Sequence, residues 1–327
     1  MKRIKTSIAI MFATMLMLMI MAVPSFAEMG SGYYVVGSPV EYNTTDQIKV
    51  KLSIESREFS NTDSTVINTP INSTMDITLT GQSTYTVRDV LRQFNQVNTF
   101  NMEIQNNNGS PLAATDTYFY AIKYGNKTYG PLFYINYGYG IAPADGWMFR
   151  VNGQYPMLSL TGYNGGPEGA FIYQTPVKDG DVVSLYTNCP FKSGSTNYST
   201  AYVGADLVQT NTGYNIQLRN CKENHCDMST NPVGQWTFAL SKCTNYSDTS
   251  RVGTIYDANW NVLATVAFSM SGLATWPSTL GTGTYYLYVP STQLWISRMA
   301  YTSFSGSSTV TCNVLRGTRV FDKIVIS

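Results

Sequence analysis

The sequence predicts a β-rich α+β protein, with one helix among strands in its first half and strands alone in its second. Three observations carry this. Only 13% of the residues are charged while Gly (26) and Tyr (24) are abundant, and Val/Ile/Tyr-rich segments alternate with turn residues. Helical periodicity is sustained over a single stretch of 13 residues, "STYTVRDVLRQFN" at 83–95. Everywhere else the apolar residues repeat with period two or fall in short runs bounded by Gly, Asn, Asp and Pro.

In chain order, Lys2, Arg3 and Lys5 precede an apolar run from Ile8 to Val23, then Pro24 and Ser25-Phe26-Ala27. This is the layout of a secretory signal peptide with cleavage near Ala27, and the mature chain is expected to be secreted or held at the cell surface, without a transmembrane segment. Removing three cations leaves 18 against 20 anions, a net charge of −2. That balance argues against nucleic acid or an anionic membrane surface as partner. After an N-terminal segment (28–44), "QIKVKLSIES" at 47–56 alternates Ile48, Val50, Leu52 and Ile54 as a strand. In the helix, Val87, Val90, Leu91 and Phe94 share one face, and Thr86 with Asp89 forms a capping box. "TYFYAIKYGNKTY" (117–129) carries a Gly-Asn turn. "GWMFRVNGQYPML" (146–158) reads as a hairpin closed by Asn152-Gly153, with Trp147, Phe149 and Val151 on its core face. "VKDGDVVSLYT" (177–187) is a turn feeding a strand. Several strands around one helix form a plan of β-grasp type, over 45–190.

The segments "STYTVRDVL", "YAIKYGNKTYG", "GWMFRVNGQYP" and "VKDGDVVSLYT", in this order, resemble the transcobalamin-like C-terminal domain. That β-grasp module closes over cobalamin in animal carriers and recurs in exported bacterial proteins. The resemblance implies a β-grasp fold and names a corrinoid as candidate ligand. No counterpart of the large helical domain with which the animal carriers enclose cobalamin is legible here.

"CPFKSGSTNYST" (189–200) is rich in Ser, Thr and Gly, which predicts a linker over 191–201. From 202 to 327, short strand candidates recur between turns, among them "GYNIQLRN", "QWTFALSKC", "RVGTIYDANWNVLATVAFS", "GTYYLYVP" and "TRVFDKIVIS". They predict an all-β sandwich domain. "IYDANWNVLATV" followed by "LGTGTYYLYV" resembles the transthyretin-like sandwiches of exported proteins.

Catalysis has few residues to work with. A Ser-His-Asp or Cys-His mechanism would run through the one histidine, His225, which sits in "CKENHC" without a nucleophile-elbow motif. Asp145, Glu168, Asp179 and Asp181 are the carboxylates a glycosidase could draw on, but Asp179 and Asp181 suit their own turn. No enzyme is expected. Cys221, His225, Cys226 and Cys243 are the right residue types for zinc, but their spacing is unusual and an exported protein meets oxidising conditions, so disulfides are favoured and no metal is expected. Five cysteines leave an odd one, and Cys189, isolated at the end of the first domain, is the candidate.

The functional signal is aromatic. Tyr129, Phe133, Tyr134, Tyr137 and Tyr139 crowd a Gly-punctuated stretch just before Trp147. Rings with a polar tip stack on sugars, on a planar macrocycle or on a partner protein at small entropic cost. Trp147 itself, at the apolar phase of its strand, is expected to be mainly buried. The expected function is extracellular recognition without catalysis and with no required cofactor. Its partner is a small molecule (the corrinoid), a glycan or a surface protein; the alternative is a structural or adhesive surface protein without a pocket.

Overall fold

The computed structural model describes residues 33–56, 58–59, 67–68, 71–130, 134–136, 141–143, 146–163, 166–188, 191–193, 196–221, 252–269, 271–290, 295–296, 299–302, 309–312 and 314–327. Residues 1–27, read above as a signal peptide, and "QWTFALSKC" lie outside them. The fold is β-rich, with several sheets and, among the described residues, one α-helix, Val87–Val97. Among the described residues no helix is long and apolar enough to cross a membrane.

One sheet runs in the order Gly146–Val151, Val182–Asn188, Gln47–Glu55, Asn72–Thr80. Its central pair is parallel and its outer pairs antiparallel. The predicted alternation holds: Ile48, Val50, Leu52 and Ile54 are buried beneath Val87, Val90, Leu91 and Phe94 of the helix, in a first core that also takes Trp147, Phe149 and Val151. The helix begins at Val87, four residues later than its periodicity suggests. Thr86 is extended, and its backbone N–H and hydroxyl both donate to the Asp89 carboxylate, at 2.9 and 2.8 Å. Two residues of extra length follow at the far end, where Asn98 caps the helix by donating its side-chain amide to the Phe94 carbonyl at 2.8 Å.

The Asn152-Gly153 turn has both residues at positive φ, +51° and +76°, as a type I′ connection requires. Its hairpin, however, closes over a single bridge, Val151 to Gln154. Asn152 joins Val182 instead, donating its N–H to the Val182 carbonyl (2.8 Å) and accepting the Val182 N–H on its side chain (2.9 Å). Pro156 has no N–H to extend the ladder. Thus Gly146–Val151 pairs with Val182–Asn188, while Tyr155–Tyr163 joins Tyr33–Val35 and Gly166–Gly169 in a separate sheet. Within the stretch read as a linker, Phe191–Ser193 and the start of Thr196–Thr210 pair as antiparallel strands, where Phe191 and Tyr198 are residues that suit a pleated strand.

A second core lies between two further sheets. One carries Leu273–Thr275, Gly213–Cys221, Thr196–Thr210, Val314–Gly317 and Trp295–Ile296 in that order; the other carries Val262–Ala267, Val252–Tyr256, Gly283–Val289 and Val320–Ile326. Val203, Ile216 and Leu218 from the first meet Ile255, Leu287, Val320 and Ile324 from the second.

The two groups of strands pack against each other, which explains a departure from simple alternation. Lys51, Ser53 and Glu55, on the polar face of Gln47–Glu55, are also buried. The second group of strands covers that face: the Glu55 carboxylate accepts the Arg319 N–H at 3.0 Å, the Arg319 guanidinium donates to the Ser73 carbonyl at 2.7 Å, and Lys323 approaches Asp181 at 3.4 Å. Gly153 is required here, since a Cβ would come within 2.6 Å of the Asp322 carboxylate. Tyr286 donates its hydroxyl to the Gly180 carbonyl at 2.9 Å. Burial, and next the carboxylates of Asp179, Asp181 and Asp76, raise its pKa from 10.0 to about 12. The folded chain therefore holds this proton more tightly than the unfolded chain, so the stabilisation is complete below pH 10 and is lost as pH rises towards 12. Urea unfolding across that window should show a fall in stability that Tyr286→Phe makes shallower; an identical slope in the variant would contradict the assignment.

Candidate functional site

Gly146–Val151 is the edge of its sheet, so groups from both of its faces are reachable at one side. Trp147 and Phe149 are 8% and 9% exposed, buried in the first core as their phase predicts, yet their outer edges are open. They form the floor of a cleft of about 180 Å³, walled by Tyr118, Phe119, Tyr155 and Phe171. The Trp147 indole N–H is already committed, donating to the Tyr129 carbonyl at 2.8 Å, so the ring offers only apolar surface to the cleft.

Exposed rings flank the cleft, Tyr118 and Phe171 in its lining and Tyr173 beside Phe171. Tyr118, Phe171 and Tyr173 are 45%, 46% and 37% exposed. Phe171 and Tyr173 lie nearly parallel, with centroids 6.1 Å apart and 10° between planes. The Arg88 guanidinium sits 5.6 Å from the Tyr173 ring. Their backbone is pinned: Gln174 accepts the Phe171 N–H on its side chain at 3.0 Å, and the helix N-terminus is tied to the same segment through Val87 N–H to Thr175 O (2.9 Å) and Arg88 N–H to Ile172 O (3.1 Å). Tyr155 is fixed between the Arg150 guanidinium, 4.6 Å from its ring, and Gly169, where a Cβ would come within 2.8 Å of its hydroxyl. Phe171, Tyr173 and Tyr155 are therefore braced rather than free side chains.

Of the residues singled out in the sequence, Trp147 floors the cleft and Tyr129 adjoins it through its carbonyl, with the Lys127 ammonium 4.7 Å from its ring. Tyr134 is described by its backbone, in the short strand Tyr134–Asn136, and Phe133, Tyr137 and Tyr139 lie outside the described residues. Asp181 serves its own turn, accepting the Lys178 N–H at 2.8 Å, while Asp179 ties that turn to the strand Gln47–Glu55 by accepting the Lys49 N–H at 2.7 Å. Glu168 is described by its backbone alone, and Asp145 lies outside. Cys221 ends the strand Gly213–Cys221, while Cys189, His225, Cys226 and Cys243 lie outside the described residues. Among the described residues no group of three or more His, Cys, Asp or Glu side chains is placed to hold a metal ion.

Tyr118, Tyr155, Phe171 and Tyr173 were not singled out by sequence reasoning. The available signal was "AFIYQT" at 170–175, where alternation puts Ile172 in the core and Phe171 and Tyr173 outside. A larger hollow, about 420 Å³, lies near Asn72, Phe100 and Tyr124 at the opposite sheet edge. Asn72 and Ser73 on its wall are already engaged by Arg319, so that wall serves packing. Neither a family model, a curated protein nor a solved structure matches the chain.

Proposed function

We propose that the chain is an exported, non-catalytic recognition protein that holds an extracellular ligand by stacking and apolar contact in the aromatic cleft. The observation that carries this is a cleft floored by Trp147 and Phe149 and lined by the exposed rings of Tyr118 and Phe171, with exposed Tyr173 stacked on Phe171 beside it. Large exposed aromatics gathered at one place mark interaction sites more often than scattered ones do. The cleft is smaller than the roughly 300–1,000 Å³ that encloses a small-molecule ligand. It therefore grips one ring, or one edge of a larger ligand, of the kind a corrinoid, a sugar or a protein side chain offers.

In this reading residues 45–190 are a transcobalamin-like β-grasp domain and the following strands a β-sandwich. The sheet order supports the first: the strands before the helix, Gln47–Glu55 and Asn72–Thr80, and the strands after it meet through a central parallel pair. The sandwich is supported by one core drawing residues from two sheets. The corrinoid rests on the resemblance, and the exposed rim favours a glycan- or protein-contacting adhesive role as the second reading.

Calorimetric titration of the chain with cobalamin, with a panel of neutral oligosaccharides and with extracellular matrix proteins tests the proposal. Binding to one of these classes is expected, weakened at least tenfold by Phe171→Ala with Tyr173→Ala. Affinity unchanged in that double variant would place recognition elsewhere.

A further inference from the structure

Trp260 has φ +65°, a left-handed backbone that a bulky residue rarely adopts and that glycine adopts freely. Its turn is closed locally: the Asp257 carboxylate accepts the N–H groups of Asn259 (2.8 Å) and Asn261 (2.9 Å) and the Asn261 side-chain amide (2.8 Å). None of these bonds involves the Trp260 side chain, so the turn itself does not need tryptophan.

The ring's partners lie at the junction of the two cores. It stacks on Phe321 at 5.2 Å and 5°, meets Tyr256 edge-on at 5.9 Å, and donates its indole N–H to Asp76 Oδ1 at 3.0 Å. The Lys51 ammonium lies 4.1 Å from its centroid, donates to Ala258 O of the same turn at 2.9 Å, and pairs with Asp76 at 3.0 Å. Asp76 and Lys51 belong to the first group of strands, and the turn supplies them with a ring face, an N–H and a carbonyl. A buried ammonium needs such partners. Strained backbone persists where surrounding structure over-determines it.

We propose that the Asp257–Asn261 turn is a plug that locks the two β units into one rigid body, with Trp260 held in its strained conformation by the lock. The second unit is then a fixed arm that sets the direction of the aromatic cleft, not a freely pivoting spacer. The lock is independent of what the cleft binds.

The test uses the whole chain. Calorimetry of the parent should give one cooperative unfolding transition. Trp260→Gly relieves the backbone strain, yet should split that transition in two and speed hydrogen exchange at the Lys51 and Asp76 amides at least tenfold. A parent with two independent transitions would overturn the proposal, as would a Trp260→Gly chain that keeps one transition at equal or higher temperature, the result expected of a mere turn residue. Should Trp260→Gly fail to fold, Trp260→Phe, which keeps the stack and loses the indole N–H, decides the matter with Asp76→Ala. The proposal expects the pair to be non-additive by at least fivefold in the unfolding constant, and additivity would contradict it.

Discussion

Asp76→Ala is expected to lower the unfolding free energy by about 3–5 kcal/mol, and Lys51→Met by only about 1–2 kcal/mol, although both break the same ion pair. The asymmetry follows from burial. The Lys51 side chain is 5% exposed and that of Asp76 33% exposed. One oxygen, Asp76 Oδ1, accepts from both the Lys51 ammonium and the Trp260 indole. Removing Asp76 leaves two donors without that acceptor, one of them a charge with little access to water. Removing Lys51 leaves a carboxylate that water reaches and that keeps the Trp260 N–H, while the methionine fills the apolar channel between Trp260 and Tyr286. Urea unfolding of the two variants decides the matter. Equal costs, or a larger cost for Lys51→Met, would mean that the ammonium is not held by Asp76 as the geometry implies.

Phe94→Ala should cost about 3–5 kcal/mol. The ring is fully buried in the first core, on the one helical face that packs against the four-stranded sheet. The same helix carries Arg88 and braces the Phe171–Thr175 segment, so loosening it should also weaken whatever the cleft holds. Far-UV circular dichroism during urea unfolding checks the stability. A loss below 1 kcal/mol would show that the helix does not seal this core.

Local signals were legible where the physics is local. Ile48, Val50, Leu52 and Ile54 announced a strand by period two, Val87 to Phe94 a helix by period 3.6, and Asn152-Gly153 a turn by its tolerance of positive φ. Long-range choices were not. The partner of Gly146–Val151 depends on Asn152 meeting Val182, about 30 residues onward, and no periodicity encodes that. The burial of Lys51 and Glu55 on the other face of Gln47–Glu55 was not legible, because what covers them lies 207 and 264 residues onward, at Ala258 and Arg319. The composition of 191–201 resembled a linker while its Phe191 and Tyr198 were pairing as strand. At the site, Trp147 was legible as a core residue at the apolar phase of its strand, but its open edge, and the exposure of Phe171 and Tyr173 beside it, arise from the sheet edge and the pinned loop.

The central claim is that the aromatic cleft is the recognition site, and a fluorescence titration tests it most directly because Trp147 lies in the floor. The chain would be titrated with cobalamin and with the oligosaccharide panel, beside Trp147→Phe and the Tyr118→Ala/Phe171→Ala/Tyr173→Ala variant. The account predicts a saturable change in tryptophan emission that shrinks in Trp147→Phe and disappears with the triple variant. Saturable binding that the triple variant leaves intact, or no response to any of these ligands up to millimolar concentration, would contradict it.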